Sequence, residues 1–292
     1  MDVRPTPDEH FRQPLLKTPF HARARELSQA DAFVAWSGYT TVDVFTTVEQ
    51  EYFAIRNAAT LYDLTPMIKY RIAGRDAGDY LNRLITRDVA RLAPGRVTYC
   101  AWCDDAGHLI DDGTLFRLGE SEYRLCTAMR QLDWLSASAI GFEVCIEEVT
   151  ESIAALALQG PTSYAVLKAA GLADVGRLKP FQIGHFDPGV PLMISRSGFT
   201  GDLGYELWMD PGSAECVWDR LMEAGRTWGL RPIGSRALDM ARIEAGFVAP
   251  NIDFLSAERT IRAGRARSPL ELGLERIVDF EKGHFTGRRA LL

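Results

Sequence analysis

Residues 97–127 read VTYCAWCDDAGHLIDDGTLFRLGESEYRLCT. Val97 to Cys103 and His108 to Leu118 suit a pleated strand, and Asp104-Asp105-Ala106-Gly107 between them supplies the acidic and glycine residues of a tight connection, so the segment predicts a β-hairpin. After the turn-like Gly119-Glu120-Ser121, Tyr123 to Thr127 predicts a third strand. Strand side chains alternate, which assigns Ile110, Asp112, Thr114, Phe116 and Leu118 to one face and Leu109, Asp111, Gly113, Leu115 and Arg117 to the other. Asp112 therefore falls on the more apolar face, where an ionised carboxylate must be solvated, paired or held for a ligand. Asp111 shares its face with Arg117, the arrangement of a solvated strand. The hairpin alone names no reaction.

Upstream of it, residues 1–30 are polar and proline-bearing and are expected to run over the surface before the fold begins. The segment TTVDVF is short and extended. Thr47-Val48-Glu49-Gln50 has the form of a capping box, with Val48, Tyr52, Ile55 and Ala59 at helical spacing behind it. Thr60 to Pro66 reads as a turn into a strand at Ile68 to Ile72, and Ala77, Tyr80, Leu81 and Leu84 mark one side of the next helix. Downstream, Met129 to Ser138 reads as a helix with Leu132 and Leu135 inward, and Phe142 to Glu148 and Ile153 to Gln159 read as strands. Thr162 caps a helix ending at Gly171; further strands are expected at Pro191 to Ser195 and Tyr205 to Met209, and helices at Ala214 to Ala224 and Arg236 to Ala245. Beyond Asn251 the chain is irregular, with a basic run of Arg259, Arg262, Arg265 and Arg267 that suits a solvated loop or an anionic ligand tail. The irregular alternation, with several adjacent strand pairs, predicts an α+β fold with antiparallel or mixed sheets.

Composition narrows the function. The chain has 292 residues, 47% of them hydrophobic, enough for a substantial core. A net charge of −6 argues against a nucleic-acid surface. No stretch approaches the roughly 20 apolar residues of a membrane span, and MDVRPTPDEHFRQ lacks the apolar centre of a signal peptide, so no membrane partner and a cytoplasmic location are expected. Five cysteines form no disulfide framework. Cys100-Ala-Trp-Cys103 matches C-x-x-C, but on a strand its thiols point to opposite faces, and the five histidines have no ligand spacing. The glycines of Gly198-Phe-Thr-Gly201-Asp-Leu-Gly204 are spaced GxxGxxG, not GxGxxG, and no dinucleotide fingerprint occurs elsewhere.

Five landmarks in order carry a resemblance: Thr60-Leu-Tyr-Asp-Leu-Thr-Pro-Met67, Gly107-His-Leu-Ile-Asp-Asp112, Ala157-Leu-Gln-Gly-Pro161, Ser195-Arg-Ser-Gly-Phe-Thr-Gly201 with Gly204-Tyr-Glu206, and Asp239-Met-Ala-Arg-Ile-Glu-Ala-Gly246. From about residue 30 onward the sequence resembles the T-protein or aminomethyltransferase family, which includes tetrahydrofolate-dependent demethylases. The resemblance implies two intertwined α+β subdomains around a folate. Residues 1–62 and 152–250 would form a discontinuous first subdomain and 63–151 an inserted second. Residues 251–292 would be a linker and the start of a C-terminal barrel that is absent or truncated here.

The resemblance also implies roles. Asp112 matches the aspartate that faces the folate's reactive nitrogens, and would hold or remove a proton as tetrahydrofolate accepts a one-carbon unit. Tyr99 matches a pterin-side tyrosine, with core packing as its plain alternative. Glu206 matches the glutamate that reads the pterin's donor edge, although alternation also allows it to face solvent. Phe199 replaces a tyrosine, retaining stacking without the hydroxyl. Met67 and Phe181 suit apolar pocket walls or ordinary core. Thr127 stands where the family has asparagine, and Leu238 replaces an arginine, with Arg236 as a displaced substitute. The implied donor is a small methylated or aminomethyl compound, with a lipoyl carrier protein or a separate oxidase as further partners. The rival reading is a folate-binding accessory or regulatory protein without transfer activity.

Overall fold

The computed structural model describes residues 15–292; residues 1–14, part of the stretch expected to cross the surface, lie outside the described residues. The rest of that stretch is already part of the fold. It holds strand β1 (Leu16–Lys17) and helix α1 (His21–Leu27), and Phe20 is fully buried. Strands β2 (Ala32–Trp36) and β3 (Tyr39–Val44) then complete a three-stranded sheet ordered β1-β3-β2.

Helix α2 (Val48–Asn57) starts where the capping pattern predicts, with the Thr47 hydroxyl accepting from the Gln50 backbone N–H at 3.3 Å. Buried Glu51 ties this helix to its neighbours: its carboxylate accepts from the backbone N–H groups of Phe45, Thr46 and Gly234 at 2.7–2.8 Å. Thr60–Asp63 is strand β4, not a turn. Strand β5 (Ile68–Ala73) and helix α3 (Ala77–Leu84) follow, the latter burying the four apolar residues its spacing selects.

The central hairpin is β6 (Arg96–Cys103) and β7 (Leu109–Arg117), joined in register to β8 (Glu122–Thr127). Next come α4 (Leu132–Ser138) and β9 (Cys145–Glu148); Leu135 is buried, but Leu132 is exposed. Strands β5 to β9 form a sheet ordered β6-β7-β8-β5-β9. Strand β10 (Ala154–Gln159), helix α5 (Ser163–Ala169), strands β11 (Ile183–Phe186), β12 (Leu192–Ser195) and β13 (Gly204–Met209), helix α6 (Ala214–Gly225), strand β14 (Arg231–Pro232) and helix α7 (Ser235–Glu244) complete the second half. Its six-stranded sheet is ordered β11-β12-β13-β10-β4-β14. Pairs β1/β3 and β14/β4 are parallel and the others antiparallel, so the architecture is α+β with mixed sheets.

Three buried layers organise these sheets. Helices α5 and α6 cover one face of the six-stranded sheet through Val166, Leu167, Val217, Trp218 and Leu221. Helices α3 and α4 cover one face of the five-stranded sheet. The remaining faces meet: Val97, Phe116 and Cys126 of one sheet pack with Tyr62, Ala155, Met193 and Trp208 of the other. Beyond that contact the same face of the five-stranded sheet carries Ala101, Cys103 and Leu109, which are covered by Phe254, Leu274, Ile277, Phe285 and Leu291, the last within helix α8 (Arg288–Leu291). Asp112, opposite Ala101, lies between the two coverings. Among the described residues no helix is long and apolar enough to cross a membrane.

The hairpin departs from simple alternation at one point. Trp102 pairs with Asp111, but Cys103 pairs with Leu109, so Ile110 is an extra residue in a β-bulge. Leu109 therefore joins the face of Asp112, and Ile110 joins the opposite layer with Trp102 and Leu115. Gly113, beside Asp112, allows strands β7 and β8 to close: a Cβ there would lie 2.2 Å from the Cys126 carbonyl oxygen.

Candidate active site

Asp112 is 7% exposed. Its Oδ2 accepts a 2.7 Å hydrogen bond from the Tyr99 hydroxyl, while its Oδ1 is buried without a partner. Cross-strand pairing explains the contact: Tyr99 and Ala101 alternate onto one face of β6, and Asp112 occupies that face of β7. Burial pushes the Asp112 carboxyl up to about 7, against the downward pull of the Tyr99 hydrogen bond; the charge of Asp253 adds to the rise. Burial and the neighbouring Asp112 carboxylate in turn raise the Tyr99 phenol.

Asp111 is not on a solvated face. It is fully buried, and Arg117 instead donates to the carbonyls of Leu92, Gly119 and Glu120. Thr127 donates to Asp111 Oδ2 at 2.7 Å, and Asp111 Oδ1 accepts from the Asp112 backbone N–H at 2.9 Å. Burial, then the charge of Asp112, holds the Asp111 carboxyl well above the usual range. Thr127 thus acts on the site through Asp111, as a brace under the Asp112 backbone.

Glu206 is also turned inward, because the whole of β13 is buried and neither face meets bulk solvent. Its Oε2 accepts from Ser197 at 2.7 Å and Ser195 at 3.1 Å. Burial raises its pKa, and the two hydroxyls oppose the rise. These serines belong to the Ser195-Arg-Ser-Gly-Phe motif, which supplies their positions but not their partner.

Phe199 is half-buried and stacks on Phe247 with centroids 5.3 Å apart and rings 17° from parallel. Met67 is half-buried against the layer between the sheets. Phe181 does not form a buried wall: it is 47% exposed, in a left-handed turn at φ 59°. Arg236 is no substitute for the replaced arginine. It points outward to Asp43 at 3.0 Å, and Leu238 is buried between the sheets. Asp253, missed from sequence because its segment lacks periodicity, also lies near Asp112, and Asn251 of the same segment meets Met129. Asn251 donates to the Met129 sulfur at 3.0 Å, and Asp253 is near enough to raise Asp112. Two hollows in the protein lie elsewhere, one under α1 and β3 and one lined by Arg124 and Trp208.

Such a buried acid opposes stability. With a pKa of about 7 folded and about 3.9 unfolded, Asp112 binds more protons in the native state over that interval, so stability falls as pH rises through it. Asp112→Asn, which keeps an acceptor for Tyr99, is expected to melt at least roughly 2–4 °C above the wild type at pH 8, with the gap closing toward pH 4. Thermal unfolding at both pH values checks this; equal melting at pH 8 would mean that the carboxylate is solvated.

Residues 21–282 match the family described as GCVT N-terminal domain. This chain belongs to the GCVT (T-protein) family. It is 33% identical to the trimethylamine-oxide aldolase of Ruegeria pomeroyi across 99% of its own length, spanning 37% of that protein. It is 34% identical to the aminomethyltransferase of Halothermothrix orenii, over 94% of this chain and 75% of that one. Among solved structures, the glycine cleavage system aminomethyltransferase T of Bartonella henselae superposes with a TM-score of 0.82 at 27% identity, covering 95% of this chain and 74% of that chain. The GCVT-family fold thus extends across the elements that carry Asp112, Tyr99 and Glu206.

Proposed function

We propose that this GCVT-family chain moves a one-carbon unit from a small methylated or aminomethyl donor to tetrahydrofolate. The observation that carries the reading is the Asp112 carboxylate, inward, with one oxygen held by Tyr99 and the other buried and unpartnered. A buried acceptor with no protein donor is costly unless a ligand completes it. The family's acceptor supplies a fitting group, an N–H at the reacting nitrogen.

In this mechanism N5 of tetrahydrofolate would bond to the one-carbon unit as that unit's bond to the donor's heteroatom breaks, the donor leaving with the bonding pair and Asp112 taking the N5 proton, an exchange that a pKa of about 7 suits near neutral pH. Tyr99 orients the carboxylate. Glu206, fixed by Ser195 and Ser197, is the acceptor for the pterin's amino and ring N–H donors. Phe199 and Phe247 offer a stacking surface, and Met67 an apolar wall. Phe181, being exposed, supplies no wall. The five-stranded sheet then supplies the catalytic acid and the six-stranded sheet the pterin reader, in keeping with an inserted second subdomain.

The donor is a separate matter. A relative named trimethylamine-oxide aldolase favours a methylated amine oxide, and relatives named aminomethyltransferase favour an aminomethyl group. The test is calorimetry with tetrahydrofolate, followed by mass spectrometry of folate products after incubation with methylated amines, sulfonium compounds and an aminomethylated lipoyl carrier. Saturable binding with a methyl- or methylene-folate product is expected. Binding without product from any donor would favour the accessory role, and no binding would overturn the proposal.

A further inference from the structure

At the other end of the contact between the sheets, Arg124 of β8 lies over Trp208 of β13, its guanidinium carbon 5.4 Å from the ring centroid. Arg124 is half-buried, and its Nη1 is buried without a hydrogen-bond partner. Among the described residues its guanidinium makes no hydrogen bond or ion pair, although Glu122 is near enough to act on its charge and Asp210 lines the hollow beside it. Both of these, and Glu206 two residues before Trp208, have other partners. Glu122 pairs with Arg71 at 2.7 Å, Asp210 accepts from the Gly212 N–H at 2.8 Å, and Glu206 is held by its two serines. Lys69, on the same face of the neighbouring strand, adds a second positive charge and is fully buried with its amine on the carbonyls of Thr65 and Met67.

Arg124 lines a hollow of about 330 Å³ whose walls also include Ser152, Ile153, His185, Met193, Trp208 and, at its edge, the exposed Asp210. That volume lies at the lower end of small-ligand sites, and the walls are mainly apolar. Trp208 is fixed in place: its Nε1–H donates to Ser195 at 3.3 Å, and Phe116 meets its ring edge-on at 5.1 Å. Phe116, the cross-strand partner of Arg124, is four residues beyond Asp112, roughly 13 Å along the strand. The hollow does not include Asp112.

We propose that this hollow is a second binding site, for a small organic monocarboxylate with an aromatic or branched apolar body. The planar fork of Arg124 matches a carboxylate, which would satisfy the orphaned N–H groups and neutralise a charge that is expensive to leave enclosed and unpaired. Trp208, Met193 and Ile153 take the apolar body. A phosphate fits less well, because its second charge and remaining oxygens would face apolar walls.

The test titrates the full chain with benzoate, benzamide and inorganic phosphate, followed by calorimetry and tryptophan fluorescence. Benzoate should bind saturably, and benzamide, its uncharged counterpart, at least about tenfold more weakly, as should phosphate. Arg124→Met should lose about tenfold or more in benzoate affinity, and Ser152→Trp, which fills the hollow from an exposed position, should abolish it. The proposal is overturned by equal affinity for benzoate and benzamide, by no saturation up to roughly 10 mM benzoate, or by benzoate binding that survives Ser152→Trp. Should Arg124→Met not fold, the wild-type comparison and Ser152→Trp decide the matter.

Discussion

Asp112→Asn is expected to keep tetrahydrofolate affinity within about tenfold and to lower turnover by about 10²-fold or more, because a positioned proton acceptor and an oriented charge each supply contributions of that order. The amide preserves shape and still accepts from Tyr99, whose hydroxyl is 2.7 Å from Oδ2. It could not take the proton that N5 would release in the proposed transfer. Steady-state kinetics with a competent donor, alongside calorimetry, separates the two effects; full turnover would remove Asp112 from the mechanism. The same substitution is expected to stabilise the apoprotein at pH 8, so one side chain sets activity against stability. Loss of turnover with a raised melting temperature distinguishes this role from simple structural damage.

The largest stability loss is expected for Arg242→Met. Arg242 is 2% exposed, and it gathers the segment that follows α7. It donates to Asp239 at 2.7 Å, to the Phe247 carbonyl at 2.9 Å and to the Asp253 carboxylate, which also accepts from the Ala249 N–H. Methionine fills much of the volume but satisfies none of these acceptors. Breaking a buried ion pair costs about 3–5 kcal/mol; Asp239 and Asp253 are partly solvated, which places the expected loss near 3 kcal/mol. Urea unfolding measures it, and a loss below about 1 kcal/mol would show that the segment holds itself. Because Phe247 stacks on Phe199 and Asp253 acts on Asp112, folate binding should weaken with it.

Local pattern reaches some of this arrangement and not the rest. The hairpin and the stripe on α3 follow from residue type and alternation, since each depends on neighbours within a few positions; alternation leaves Asp112 solvated, paired or held for a ligand, and the fold turns it inward. The bulge at Ile110 leaves no such trace: leucine and isoleucine are interchangeable in the pattern, and only the pairing of Cys103 with Leu109 reveals the extra residue. Asp111 reads as solvated because its partner, Thr127, is on another strand. Glu206 reads as ambiguous because alternation separates wet from dry faces, whereas both faces of β13 are covered. Strand β4 is missed because Thr60–Asp63 is short, and it becomes a strand by pairing with β10 nearly a hundred residues later. The family landmarks single out Asp112 and Glu206 as candidates but not the hydroxyls that hold them.

On the proposed mechanism the unpartnered oxygen of Asp112 is kept for a reduced pterin. A crystal structure of this chain with tetrahydrofolate tests it most directly. The expected result places a pteridine nitrogen within about 3.2 Å of Asp112 Oδ1, with the Tyr99 bond retained and Glu206 on the pterin's amino edge. A pterin bound elsewhere, or an Asp112 carboxylate left unpartnered beside the bound folate, would contradict it.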